Sequence, residues 1–336
     1  MGHRKQSAPR HGSLAFLPRK RAGSMVARIR HWPQLNLDKP TPLAFGGYKV
    51  GMTQAIMVDD REGSPTKGRE IAVPVTIIEA PPLVAVGARV YGNGFGGKRV
   101  AREVWHPKLP EDLFRRVVTL RNSSERGDAR IDARDLPERG EVRLIVCTQP
   151  RLSGSKKKTP EVFEVKVDGG SSDDVVDYVN ASLGKEIKAS DVLKPGSFVD
   201  VFGVTKGKGW AGVVKRYGVK IMDRKSNKTR RGIATMGAKS PSNVMFYVPR
   251  GGQMGFHQRP VRNLRVLNVG PASESPKMSG GFLRYGTIKS DYLLLQGSVP
   301  GPAKRFLKLR LSARRTELAA EPPKLTRVSL VSQQGV

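Results

Sequence analysis

Cysteine is almost absent from this chain: Cys147 is the only one among 336 residues. A single thiol excludes an intrachain disulfide framework and any zinc site built on two or more cysteines. The preceding Arg143-Leu144-Ile145-Val146 reads as a buried strand, so Cys147 is expected to be an inert core thiol in a reducing, cytoplasmic compartment. Histidine is scarce as well. The five, at 3, 11, 31, 106 and 257, form no H-x-x-x-H or Cys/His cluster, and no protein-held metal is expected. No apolar run approaches the roughly 18 residues needed to span a bilayer. The start Met1-Gly2-His3-Arg4-Lys5 leads into no apolar signal segment, and no membrane partner is expected. No serine sits on a recognisable nucleophile elbow. Asp173, Asp174 and Asp177 look like an acidic helix start rather than paired catalytic carboxylates.

Acidic residues are the other shortage. Asp and Glu number 29 against 60 Lys and Arg, which leaves a formal net charge of +31 and a pI of about 10.7. Such a charge destabilises a compact chain by self-repulsion unless a polyanion is present. Nucleic acid fits best, because each phosphate neutralised releases counterions. The charge is also segregated. Residues 1–34 carry eight Lys or Arg and no acid, and residues 203–265 carry fifteen against the single acid Asp223. Between them, residues 103–200 hold 18 of the 29 acids.

The first basic stretch has no sustained helical or strand period, and Pro9, Gly12 and Pro18 punctuate it. Leu14, Phe16 and Leu17 make it more apolar than a solvating tail, which points to an arm that orders on RNA. The second stretch combines glycine, cations and aromatics in Gly203-Val204-Thr205-Lys206-Gly207-Lys208-Gly209-Trp210 and on to Tyr217-Gly218. Glycine permits close backbone approach to phosphates, and aromatic rings stack on unpaired bases. Trp210 reads equally well as such a platform or as a core residue. Arg224 to Gly232, the small-residue run to Lys239, and Pro249 to Arg259 are poor in large aliphatics and cannot form a core alone. A long irregular segment inside a compact domain is uncommon unless it is functional or disordered.

Elsewhere the chain is strand-rich. Residues 72–80, 83–91, 141–147, 162–167, 196–202, 264–267, 292–295 and 306–309 read as strands. Pro110 to Arg116 opens a short helix, and Ser172 is placed to cap a helix running to Leu183. Gly92-Asn93-Gly94-Phe95-Gly96-Gly97 satisfies G-x-G-x-x-G, but the cationic 98–102 that follows has no apolar helical face, so a turn near RNA is the better reading than a dinucleotide site. Many short strands with Gly/Pro turns point to a barrel.

Seven blocks carry a resemblance: SAPRHGSLAFLPRKRA (7–22), GYKVGMT (47–53), VPVTIIEAPPLVAVGARVY (73–91), RLIVCTQP (143–150), DVFGVTKGKGWAGVVKRYG (200–218), GGQMGFHQRPVRNLRV (251–266) and QGSVPGPAKRFLKLR (296–310). In the right order and over nearly the whole chain, they resemble the large-subunit ribosomal protein L three family, in its archaeal-type branch. The resemblance implies a mainly β fold: a translation-factor-like β-barrel over 44–85 and 190–310, interrupted by an α/β insertion at 86–189. It further implies an extended basic N-terminal arm at 1–43, a long central loop or basic finger at 206–259, and a C-terminal tail at 311–336.

The function implied is structural. The chain is expected to be no enzyme but a constituent of the large ribosomal subunit, which binds large-subunit rRNA, supports assembly and reaches toward the peptidyl-transferase region. Neighbouring large-subunit proteins are expected partners. No homo-oligomer and no cofactor are expected beyond magnesium ions belonging to the RNA. The expected RNA contacts in the arm are Arg4, Lys5, Arg10, His11, Arg19, Lys20 and Arg21. At the base of the loop they are Lys206, Lys208, Trp210, Lys215 and Arg216. Along the finger they are Arg224, Lys225, Lys228, Arg230, Arg231 and Lys239, and on the return Arg250, Gln253, His257 and Arg259. Where the eukaryotic branch carries a fingertip tryptophan, this chain reads Gly237-Ala238-Lys239-Ser240-Pro241, so an aromatic role at the tip is not carried over. Arg230 stands where that branch has a histidine, and a modification of that histidine is not carried over either. The rival classes are an RNA-modifying enzyme, which needs a catalytic constellation, and a DNA-compacting protein, which favours groove-reading helices.

Overall fold

The structure is a computed structural model that describes residues 12–35, 37–121, 130–132, 134, 136–137, 140–226, 229–237, 239–240, 242–314 and 322–332. The chain divides into two compact units, one of Met1–Ser24 with Val204–Gln258, the other of Met25–Gly203 with Arg259–Val336. It is mainly β. The strands are β1 (Thr41–Pro42), β2 (Ala44–Val58), β3 (Glu70–Glu79), β4 (Leu83–Gly94) and β5 (Gly97–Trp105). Next come β6 (Glu141–Thr148), β7 (Val162–Asp168), β8 (Glu186–Ile187), β9 (Phe198–Val204) and β10 (Gly207–Ala211). The last are β11 (Gly252–Gly255), β12 (Gln258–Gly270), β13 (Tyr292–Gln296), β14 (Phe306–Leu311) and β15 (Leu325–Val328). Three α-helices are described: α1 (Ser172–Ser182), α2 (Ala189–Val192) and α3 (Val213–Tyr217).

In the larger unit one sheet runs β14-β9-β12-β13-β3-β2-β15, and β2 also pairs with β14, so the hydrogen-bonded path returns to its first strand. The β2–β3 ladder is the longest, from Tyr48 opposite Glu79 to Val58 opposite Glu70, with a bulge between Lys49 and Gly51. A bulge lets a long strand bend sharply. Phe45, Tyr48, Val50, Ile77, Val199, Val201, Leu293, Leu295, Leu307 and Leu309 are buried from this sheet. A second sheet runs β1-β7-β6-β4-β5, with β8 beside β4. Of its buried residues, Ala85, Ala88, Leu144, Val146 and Val165 belong to the same apolar cluster, while Val86, Ile145 and Cys147 form a second, smaller one with Leu113. Tyr48 and Phe163 each pack on Phe306, at ring-centroid distances of 5.4 Å and 5.5 Å. The Tyr48 hydroxyl donates to Thr148 Oγ1 at 3.1 Å, joining β2 to β6.

Two buried carboxylates in this unit are fully engaged, as burial of a charge requires. Glu79 accepts from the amides of Gly154 (2.8 Å), Lys289 (2.6 Å) and Ser290 (3.0 Å) and from the Tyr285 hydroxyl. Asp200 and Arg310 form a buried ion pair; Asp200 also accepts from the amide of Asn263 at 3.0 Å, and Arg310 donates to the His31 carbonyl. Cys147 lies in β6, 2% exposed, and burial pushes its thiol up to about 12.

Of three local expectations, two hold and one shifts by a residue. Residues Glu111–Arg115 form the expected short helix, as a 3₁₀ turn with Pro110 before it; only Leu113 there is buried, too little apolar face to hold more turns. The cap of α1 is Ser171, one residue before the expected Ser172, because Asp174 at the third helical position reciprocates to the Ser171 amide (2.9 Å) and completes a capping box. The G-x-G-x-x-G run at 92–97 is the turn of the β4–β5 hairpin, with Gly94 opposite Gly97, and a strand rather than a helix follows it.

Candidate nucleic-acid interface

The smaller unit is organised by a few side chains that bind backbone. β10 and β11 form a two-stranded antiparallel sheet, with Trp210 opposite Gln253 and Ala211 opposite Gly252. The strands approach closely at Gly255, where a Cβ would lie 2.0 Å from the Lys206 carbonyl oxygen and where φ is +73°; only glycine fits. After β10, α3 ends at Gly218 in the left-handed conformation. Among the described residues, 219–251 contain no helix or strand.

Arg216 in α3 is the hub. Its Nε donates to the Gln253 carbonyl (3.0 Å), Nη1 to the Arg250 carbonyl (3.0 Å) and Nη2 to the Arg19 carbonyl (3.1 Å). Arg19 reciprocates from the arm by donating to the Arg216 carbonyl at 3.0 Å, and its guanidinium lies 4.3 Å from the Tyr217 ring centroid. Gly12 packs on the same ring so closely that a Cβ would sit 2.2 Å from Tyr217 Cδ1. Further along the arm, the Ala22 amide donates to the Phe256 carbonyl at 2.8 Å. His257 is buried; its Nδ1 contacts the Lys20 carbonyl at 2.8 Å and its Nε2 accepts from the Gly255 amide at 3.1 Å. A carbonyl only accepts and an amide only donates, so these two bonds assign the neutral Nδ1–H tautomer.

This arrangement sorts the expected site residues into two groups. Arg19, Arg216, Gln253 and His257 are engaged with backbone inside the unit. Lys20, Arg21, Lys206, Lys208, Lys215, Arg224, Lys225, Arg230, Arg231, Lys239 and Arg250 are exposed. Arg259 is half-buried in β12 and belongs to the larger unit. Arg4, Lys5, Arg10, His11 and Lys228 lie outside the described residues. Trp210 is 83% exposed, which removes the core alternative.

Two features were not singled out in the sequence. Phe246, 79% exposed, meets Tyr247 edge-to-face at 5.8 Å. Phe246 also lines an open groove of about 640 Å³, together with Leu17, Pro18, Tyr217, Val244 and Val248. Arg19, Lys20, Arg216 and Arg250 surround that apolar floor. The available signal was Val244-Met245-Phe246-Tyr247-Val248, a short apolar run with two large rings inside an otherwise small, polar and basic segment. A groove with an apolar floor and cationic walls suits an unpaired base and its flanking phosphates.

The model of the family described as ribosomal protein L3 matches residues 1–335. A relative from Picrophilus torridus named large ribosomal subunit protein uL3 is 44% identical over 329 residues, covering 97% of this chain and 98% of that one. Proteins of the same name from Aeropyrum pernix and Saccharolobus solfataricus are 44% and 40% identical, each covering 100% of both chains.

Proposed function

The chain belongs to the ribosomal protein L3 family, and from that premise we propose that it binds large-subunit rRNA through its smaller unit and thereby supports subunit assembly. It is a structural protein of the large ribosomal subunit in the cytoplasm, not an enzyme. The observation that carries the rRNA reading is the division of labour among the cations. Arg216, Arg19 and His257 fix the backbone of arm, α3 and return strand, while Lys206, Lys208, Lys215, Arg224, Lys225, Arg230 and Arg231 stay exposed beside the single acid Asp223. A scaffold held by internal hydrogen bonds that leaves its charge unneutralised is suited to a phosphate surface. Trp210 and Phe246 supply stacking planes in the same cationic unit.

The finer parts of the reading follow from the family. The arm and the 206–259 finger extend toward the peptidyl-transferase region, and neighbouring large-subunit proteins complete the surroundings. Magnesium held by the RNA is the only metal in this picture. A translation-factor-like barrel interrupted by an α/β insertion belongs to the same reading, and the strand path that returns to its first strand supports it.

Sedimentation of the native protein from lysate on sucrose gradients, at moderate and at high salt, tests the proposal. Stoichiometric migration with large subunits that survives the salt wash is expected, because a purely superficial electrostatic binder is stripped as salt rises. Migration as free protein, or with DNA, would overturn it.

A further inference from the structure

The β4–β5 hairpin of the larger unit takes no part in the interface described above. Its turn, Phe95-Gly96, places the Phe95 ring at the tip, 100% exposed. Among the described residues β5 is the terminal strand of its sheet, and residues 97–103 are exposed throughout. An edge strand presents backbone amides that the sheet does not use.

Charge is graded along this hairpin. Toward its base Arg89 and Arg143 pair with Glu103, Glu141 and Glu164, and Glu141 also takes Lys98, which lies beside the turn opposite Asn93. From Gly92 to Arg102 there is no acid at all. Arg99 runs across Gly94, where a Cβ would be 2.9 Å from its Cδ, and its Nη2 donates to the Phe95 carbonyl at 3.4 Å. The guanidinium is therefore held beside the exposed ring by backbone, and no ion pair to it is formed among the described residues. Four glycines, at 92, 94, 96 and 97, keep the surface around Phe95 low. A protein partner gains from a contiguous apolar patch, and between 92 and 102 only Val100 adds appreciable exposed apolar surface to Phe95.

We propose that the β4–β5 tip is a separate RNA contact, in which Phe95 stacks on an unpaired base and Arg99, with the outer edge of β5, engages the adjoining phosphates. The chemistry is that of RNA recognition through an aromatic plane and a guanidinium on a glycine-rich support. The identity of the RNA rests on the ribosomal reading; the site at the hairpin tip is the new element.

The test places a benzophenone side chain at position 95 (Phe95→p-benzoyl-phenylalanine) in the full chain and irradiates purified large subunits. A crosslink to one rRNA segment is expected. A crosslink to a ribosomal protein, or none from subunits that contain the variant, would overturn the proposal. In parallel, subunits carrying Phe95→Ala are probed for base reactivity. One single-stranded segment is expected to become several-fold more reactive, and an unchanged pattern would count against the site. Absence of the wild-type chain from subunits would instead defeat the ribosomal reading, so the two failures are distinguishable.

Discussion

Replacing Arg216 by Ala is expected to loosen the arm within the smaller unit while leaving the larger unit folded. The guanidinium makes three hydrogen bonds to backbone carbonyls, at 3.0, 3.0 and 3.1 Å. Bonds from charged donors contribute about 1.5–3 kcal/mol each when well buried. Arg216 is only half-buried, so about 1 kcal/mol per bond is the appropriate scale, and of the three only the bond to the Arg19 carbonyl reaches the arm. At about 1.4 kcal/mol per decade, the equilibrium for opening the arm should rise roughly 5-fold. The Ala22 amide reports this directly, because its acceptor, the Phe256 carbonyl, lies beyond the Arg216 contacts. Hydrogen exchange followed by mass spectrometry on the full chain should show the peptide containing Ala22 exchanging faster by that factor, with β2 and β3 unchanged. Arg216→Lys should recover only part of the protection, since an ammonium cannot span three carbonyls. If Ala22 keeps wild-type protection in Arg216→Ala, Arg216 is not what ties the arm to the return strand and the reasoning fails.

The remaining predictions concern the core and the finger. Cys147, 2% exposed and with its thiol pushed up to about 12 by burial, should give no reaction with a thiol reagent at about pH 8 until the chain is unfolded, and then one equivalent; fast labelling of the native protein would contradict the burial. Lys308 is buried over the Phe163 ring at 4.6 Å, and burial lowers its pKa from 10.5 to about 8. The unfolded lysine keeps its proton to higher pH than the folded one, so this group makes stability rise between pH 8 and 10.5. Lys308→Met should therefore gain on wild type at about pH 7 and lose about 2–3 kcal/mol of that relative gain by about pH 10, read from urea midpoints; a gap independent of pH would refute the assignment. Deletion of 224–245 should preserve the cooperative melting of the larger unit yet impair accumulation of large subunits, and loss of that melting would show that the segment is not a separate finger.

Much of the larger unit was legible because strands announce themselves locally. Ala72–Ala80 is β-branched and stops at Pro81-Pro82, and β3 spans Glu70–Glu79. Glu141 to Cys147 needed only its apolar run to be read as β6. What escaped depended on partners distant in sequence or on geometry finer than composition. Ser171 displaced Ser172 as the cap because Asp174 reaches back to it. In the interface, counting cations located the basic segments but could not separate those that face outward from those that serve the scaffold. The neighbours Lys215 and Arg216 look alike in sequence, yet Arg216 binds three carbonyls and Lys215 is exposed.

Residue types, strand periodicity and net charge are properties of the chain and need no contacts to be read. They were enough to read the mainly β class and to point to a polyanionic partner, while seven sequence blocks carried the resemblance to the family. Three facts came instead from the folded arrangement: Trp210 is outside the core, Arg19 and Arg216 bind each other's backbone across 197 positions, and Phe95 stands alone at a hairpin tip. Those facts depend on which segments fold back on one another, and a guanidinium takes whichever carbonyl the fold brings within about 3 Å.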